Sequence, residues 1–142
     1  MTIDERRELS SARLDKAYQM LRAAQIMLQF DDYATACNRL YYAVFHAMRA
    51  VLALDGIDEH SHSHLISEFR KRYLKTNILD RALSDTIGSS FQIRNESDYD
   101  DDWLISKADV IEQEQRVMAF LATIEGYVSL QGVKRRDNNG HI

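Results

Sequence analysis

The residues best suited to chemistry lie in one short run, Arg94-Asn95-Glu96-Ser97-Asp98-Tyr99. Arg94 follows Ile87 by seven positions and Phe91 by three, so helical spacing puts it on the side facing the core. A guanidinium there needs a carboxylate or carbonyl partner, because a desolvated, unpaired charge is strongly unfavourable. Asp98, one helical turn on, can supply that partner and brace the helix end. The alternative is an arginine held at a cleft, where its planar fork suits a phosphate. Spacing leaves both readings open.

Histidines are the next candidates. His46 shares a polar–aromatic stripe with Arg39, Tyr42 and Arg49. It can be hydrogen-bonded between helices or at a dimer seam, or act as a general acid–base if a reacting group lies within reach. His60, His62 and His64 alternate beside Asp58 and Glu59, a pattern that can share a metal ion. No second ligand pair at helical spacing joins them, so a solvated loop and no bound metal are expected. Asp98, Asp100, Asp101 and Asp102 offer oxygen ligands for magnesium, but they read better as a solvated acidic loop. The chain has no phosphate-cradling glycine loop and no nucleophile elbow, so nucleotide hydrolysis and lipase-like chemistry lose their usual support. No cofactor is expected.

These residues need helices to position them. The chain has 142 residues, 45% of them apolar, with no proline and only five glycines. So few turn formers exclude sandwiches and barrels and point to an all-α fold. Apolar spacing predicts helices over about Asp4–Phe30, Asp32–Leu54, Ser63–Leu74 and Leu79–Asn95, and a last one capped by Ser106 with Asp109 as capping-box partner. In the fourth, Leu83, Ile87 and Phe91 are expected to face inward. Residues 1–130 read as one up-down helical bundle, and 131–142 as a polar, disordered tail.

Charge and cysteine content bound the setting. Eighteen Lys and Arg against 22 Asp and Glu give a net charge of −4, without the basic footprint of a general nucleic-acid binder, and no DNA partner is expected. The single cysteine, Cys37, lies in an apolar helical pattern and reads as a buried hydrophobe. The charged N-terminus and the lack of a long apolar run predict a cytoplasmic protein with no membrane contact.

Three strings carry a family resemblance. Asn38-Arg39-Leu40-Tyr41-Tyr42-Ala43-Val44-Phe45-His46-Ala47-Met48-Arg49-Ala50-Val51-Leu52 resembles a signature of the HEPN superfamily. So do Ser61-His62-Ser63-His64-Leu65-Ile66-Ser67-Glu68-Phe69 and Arg94-Asn95-Glu96-Ser97-Asp98-Tyr99. Together they look like the small stand-alone HEPN proteins of an uncharacterised group, over roughly residues 10 to 128. The resemblance implies a five-helix up-down bundle, a homodimer, and pairing with a minimal nucleotidyltransferase in toxin–antitoxin-like modules. Many HEPN proteins are metal-independent ribonucleases, whose motif is an arginine, a few intervening residues and a histidine. The arginine maps onto Arg94 and its polar follower onto Asn95.

The motif then departs from the family. Where the histidine should fall, this chain has Tyr99, Asp100 and Asp101. In related toxins a nucleotidyltransferase modifies a tyrosine two positions beyond that histidine, a place held here by Asp101, with Tyr99 out of phase. Without an imidazole in the motif, nothing there titrates near neutrality to take a ribose hydroxyl proton. The first expectation is therefore a dimeric binding subunit, a partner of a nucleotidyltransferase, with Arg94 and Asn95 lining a cleft for RNA or a nucleotide. The alternative is a ribonuclease in which Arg94 stabilises the phosphate and Tyr99, His46 or a histidine of the 60–64 loop handles the proton.

Overall fold

The computed structural model describes residues 1–135, and among these all regular structure is helical. Thr2 opens α1 (Ile3–Gln29) with a reciprocal capping box to Glu5, which ties down two backbone donors at the helix start. Asp31 adopts a positive φ of 57° in the tight turn that follows, and Asp32 caps α2 (Tyr33–Ala53) by accepting from the Thr35 N–H. So short a connection lays α1 and α2 side by side, antiparallel.

α2 is the central element, packed against α1, α4 and α5. Leu40, Tyr41, Val44, Met48, Val51 and Leu52 are all buried on it. Burial also pushes the Cys37 thiol up to about 11, which keeps it protonated and poor as a nucleophile. Gly56, at φ 75°, turns the chain beyond α2 against the Arg6 side chain, where a Cβ would sit 3.1 Å from the guanidinium.

α3 (His62–Phe69) starts one residue earlier than the Ser63 expected, because the Ser61 side chain accepts from the His64 N–H. It continues as a π turn over Arg70–Leu74, a widened coil that often marks functional sites. The fourth helix differs from expectation at both ends. Leu79 is taken up by a turn whose N–H bonds the Tyr73 carbonyl, and α4 runs from Leu83 to Tyr99. It passes Asn95 because no glycine or proline stops it, and because Asp98 lies one turn beyond Arg94, 3.3 Å from its Nε. Of the carboxylates expected in an acidic loop, Asp98 is therefore in the helix, and Asp100, Asp101 and Asp102 lie beyond it.

Phe91 is 43% exposed and does not join the core, unlike Leu83 and Ile87. Ser106 caps α5 (Lys107–Leu130) by accepting from the Asp109 N–H, as expected, but no bond from the Asp109 side chain completes the expected capping box. Residues 131–135, expected to belong to a disordered tail, pack back on the bundle. Val133 is buried, Ser11 donates to the Lys134 carbonyl at 2.7 Å, and Arg135 pairs with Asp15 and Glu125 above the Tyr18 ring. The rest of that segment lies outside the described residues. No helix among the described residues is long and apolar enough to cross a membrane.

Candidate functional site

Arg94, on the last two turns of α4, sits against the aromatic face of α2. Its Cζ lies 4.9 Å from the Tyr41 ring centroid and 5.8 Å from that of Tyr42. Cation–π attraction to two rings fixes where the guanidinium sits. Asp98 Oδ2 is 3.3 Å from Nε, close enough for an ion pair, yet Nε has no aligned hydrogen-bond acceptor. The brace is electrostatic and loose. No described residue accepts from the two Nη groups, and the side chain is 21% exposed. The brace and the cleft arginine are thus the same residue: one edge held, the fork left for an anion.

An imidazole reaches this arginine from a different element. His62 heads α3, and its Nδ1 lies 2.6 Å from the Tyr41 hydroxyl. Its ring packs at a tilt among aromatic neighbours, 4.2 Å from Phe45 and 5.6 Å from Tyr41 between centroids. Burial, and then the Arg94 charge, push its pKa below the ordinary histidine value, so it is neutral at pH 7. Tyr41 is pushed the other way, up to about 12, chiefly by burial and against the pull of Arg94. A protonated phenol and a neutral imidazole therefore share one hydrogen bond. Where Nδ1–H donates to the phenol, the other ring nitrogen presents a lone pair.

Not every residue singled out in the sequence joins this cluster. Asn95 is exposed and Tyr99 is 76% exposed, and neither makes a side-chain hydrogen bond among the described residues. Asp100 accepts from the Asp102 N–H in an exposed turn, away from any metal-like cluster. His60 and His64 stand 78% and 75% exposed, beside Asp58 and Glu59 respectively, so the alternate histidines do not converge. Asp58 is already engaged by Arg13 at 2.6 Å and Arg49 at 3.1 Å. No group of three possible metal ligands occurs among the described residues.

His46 lies one turn beyond Tyr42, with ring centroids 6.2 Å apart. Burial comes first, then the charges of Arg49, Lys16 and Arg13, in pushing its pKa down to about 4. Its Nδ1 is buried without a hydrogen-bond partner. A group that resists protonation so strongly is a poor proton donor near neutrality. It does affect stability. The folded pKa lies below the unfolded value near 6.5, so the unfolded chain binds more protons between the two. Stability should fall as pH drops from about 6.5 toward 4. Urea midpoints at pH 7 and pH 5 should lie closer together in His46→Gln than in the wild type, and equal separations would show that His46 does not contribute.

What sequence reasoning missed is the pairing of Tyr41 with His62. Tyr41 reads as core and His62 as loop, and only the packing of α3 on α2 joins them. The available signal was Tyr41 and Phe45 at i, i+4, a ring pair stacked at 6.3 Å between centroids.

Comparison with known proteins agrees with this architecture. The chain is 27% identical over 139 residues to a candidate toxin of Methanocaldococcus jannaschii, covering 98% of this chain and 94% of that protein. It is 25% identical over 114 residues to a UPF0332 protein of Thermotoga maritima, covering 80% of each. A second candidate toxin of Methanocaldococcus jannaschii is 28% identical over 96 residues, covering 68% of this chain and 72% of its own. The family model for the HEPN domain matches residues 10–127, which span the aromatic face of α2, the His62 cap of α3 and the Arg94 turn of α4. The chain belongs to the HEPN domain family.

Proposed function

We propose that this protein is the HEPN subunit of a toxin–antitoxin-type pair, a cytoplasmic homodimer that binds a phosphate-bearing ligand, RNA or nucleotide, at Arg94. The observation that carries the reading is the Arg94 fork, held by two tyrosine rings and Asp98, with no described acceptor for its Nη groups. The candidate-toxin names of two relatives support the setting. Its partner is a minimal nucleotidyltransferase, as the family resemblance implies. Light scattering of the purified chain, followed by filter binding of single-stranded RNA, tests this reading. A dimer that binds RNA through Arg94 supports it, and a monomer without affinity for RNA or nucleotide overturns it.

The second reading is a metal-independent endoribonuclease, favoured by the His62 imidazole, which is hydrogen-bonded to the same Tyr41 whose ring Arg94 covers. The imidazole missing from the α4 motif has a substitute at the start of α3. In EDTA, RNA cleavage should fall by about 100-fold or more in His62→Ala, the scale of a lost general base. His62→Ala should leave RNA binding within about threefold, roughly 0.7 kcal/mol. Absence of cleavage by a well-folded dimer rejects the enzyme and leaves the binding subunit.

A further inference from the structure

A cavity of about 320 Å³ opens between the end of α4, the turn that follows and the start of α5. That volume is in the range of small-molecule sites. Glu96 of α4 and Asp109 and Glu112 of α5 line it, with Ile93, Trp103 and Ile105 as apolar wall. The cation on its wall, Arg116, is already paired with Glu112 at 2.6 Å. Glu96 and Asp109 make no ion pair or side-chain hydrogen bond among the described residues. The bond missing from the α5 capping box is what leaves the Asp109 carboxylate unengaged.

Acidic side chains alone do not make a site, and Gln113 sets this cavity apart. It lines the same wall at 2% exposure, and its Nε2 donates to the Ser89 hydroxyl at 3.0 Å and the Ser90 hydroxyl at 2.9 Å. Ser89 donates its own proton to the Thr86 carbonyl, so toward Gln113 it can only accept, and the amide nitrogen must face it. That fixes the other end of the amide. Oε1 is buried and accepts from nothing. A buried acceptor left unpaired is unfavourable, and a ligand N–H placed there relieves it. A bare metal ion does not suit these acceptors, since no group of three possible metal ligands lies together among the described residues. An alkyl amine does: its ammonium groups are spaced along an apolar stem that can lie on Ile93 and Ile105, with a cation over the Trp103 ring.

We propose that this cavity binds an aliphatic polyamine, its ammonium groups on Glu96, Asp109 and the Gln113 Oε1 and its stem against Trp103. The site is separate from the Arg94 fork, for neither Tyr41, Tyr42 nor Asp98 lines it. A lysine side chain of another protein carries the same chemistry as a free amine.

Trp103 makes the site observable, since it is the only tryptophan of the chain. Spermidine titrated at constant ionic strength should give a saturable change in Trp103 fluorescence, with calorimetry beside it in case the indole is silent. The side-chain amide signals of Gln113 in nuclear magnetic resonance spectra should shift with the same saturation. Butylamine, with one ammonium group, and magnesium chloride should each bind at least about tenfold more weakly. Glu96→Gln/Asp109→Asn keeps the shape of both side chains, removes both charges and should weaken spermidine binding by about tenfold or more. Both residues are exposed, so the fold should stand, and circular dichroism checks it. Arg94→Ala should change spermidine affinity by less than about threefold, so failure at the Arg94 site and failure here are distinguishable. A trilysine peptide that binds in place of spermidine, with the same dependence on Glu96 and Asp109, would also bear the proposal out, with a protein side chain as source. No saturable binding of either at millimolar concentration, binding indifferent to Glu96→Gln/Asp109→Asn, or equal affinity for magnesium overturns it.

Discussion

Arg94→Ala is expected to weaken RNA binding by about 10- to 150-fold, the range for losing charge-assisted hydrogen bonds worth about 1.5–3 kcal/mol. The fold should survive. The Arg94–Asp98 pair is partly exposed, 21% and 34% for the two side chains, and Nε has no aligned acceptor. Such pairs contribute roughly 0–1 kcal/mol. Arg94→Lys separates charge from shape, since it keeps the cation and loses the planar fork. It should recover less than half of the lost binding free energy. Full recovery would mean that only net charge matters, and equal affinity of Arg94→Ala and wild type would remove Arg94 from the site. Circular dichroism of each variant confirms that folding is intact.

Phe69→Ala is expected to destabilise the protein by about 3–5 kcal/mol, a large share of the roughly 5–15 kcal/mol a domain possesses. Phe69 is fully buried at the end of α3, 5.8 Å from the Tyr73 ring and 6.3 Å from Phe120 of α5 between centroids. It anchors the short helix that carries His62, so its loss should loosen the His62–Tyr41 contact as well. Phe69→Leu keeps most of the volume and should cost less than about 1.5 kcal/mol. Urea unfolding of both variants reads these values. A cost below about 1 kcal/mol for Phe69→Ala would show that α3 is not held by this core contact.

The helices were legible in the sequence because each carries an apolar stripe of regular period, and Asp32 and Ser106 cap where their side chains predict. The end of α4 was not. A run of carboxylates reads as a loop, but Asp98 at i, i+4 from Arg94 and the absence of a breaker carry the helix four residues on. The start of α4 shifted for a different reason, since Leu79 is buried by a turn and not by a helix.

Arg94 was legible as an isolated cation on a core-facing phase, with Asp98 one turn away. Its setting was not, because Tyr41, Tyr42 and His62 come from elements far apart in sequence. Periodicity reports which face a residue occupies, and says nothing of which other face it meets. Asn95 and Tyr99 were expected beside Arg94 from the motif that the family resemblance implies. Helical geometry turns neighbouring positions about 100° apart, and both remain at the surface.

The most direct measurement is a nuclear magnetic resonance titration of the purified protein with a short single-stranded RNA, observing side-chain signals of Arg94, Tyr41, Tyr42 and His62. An anion site at the Arg94 fork predicts saturable shifts at these four residues, abolished in Arg94→Ala and weakened by added salt. RNA binding that leaves all four signals in place, or shifts that persist in Arg94→Ala, would contradict it.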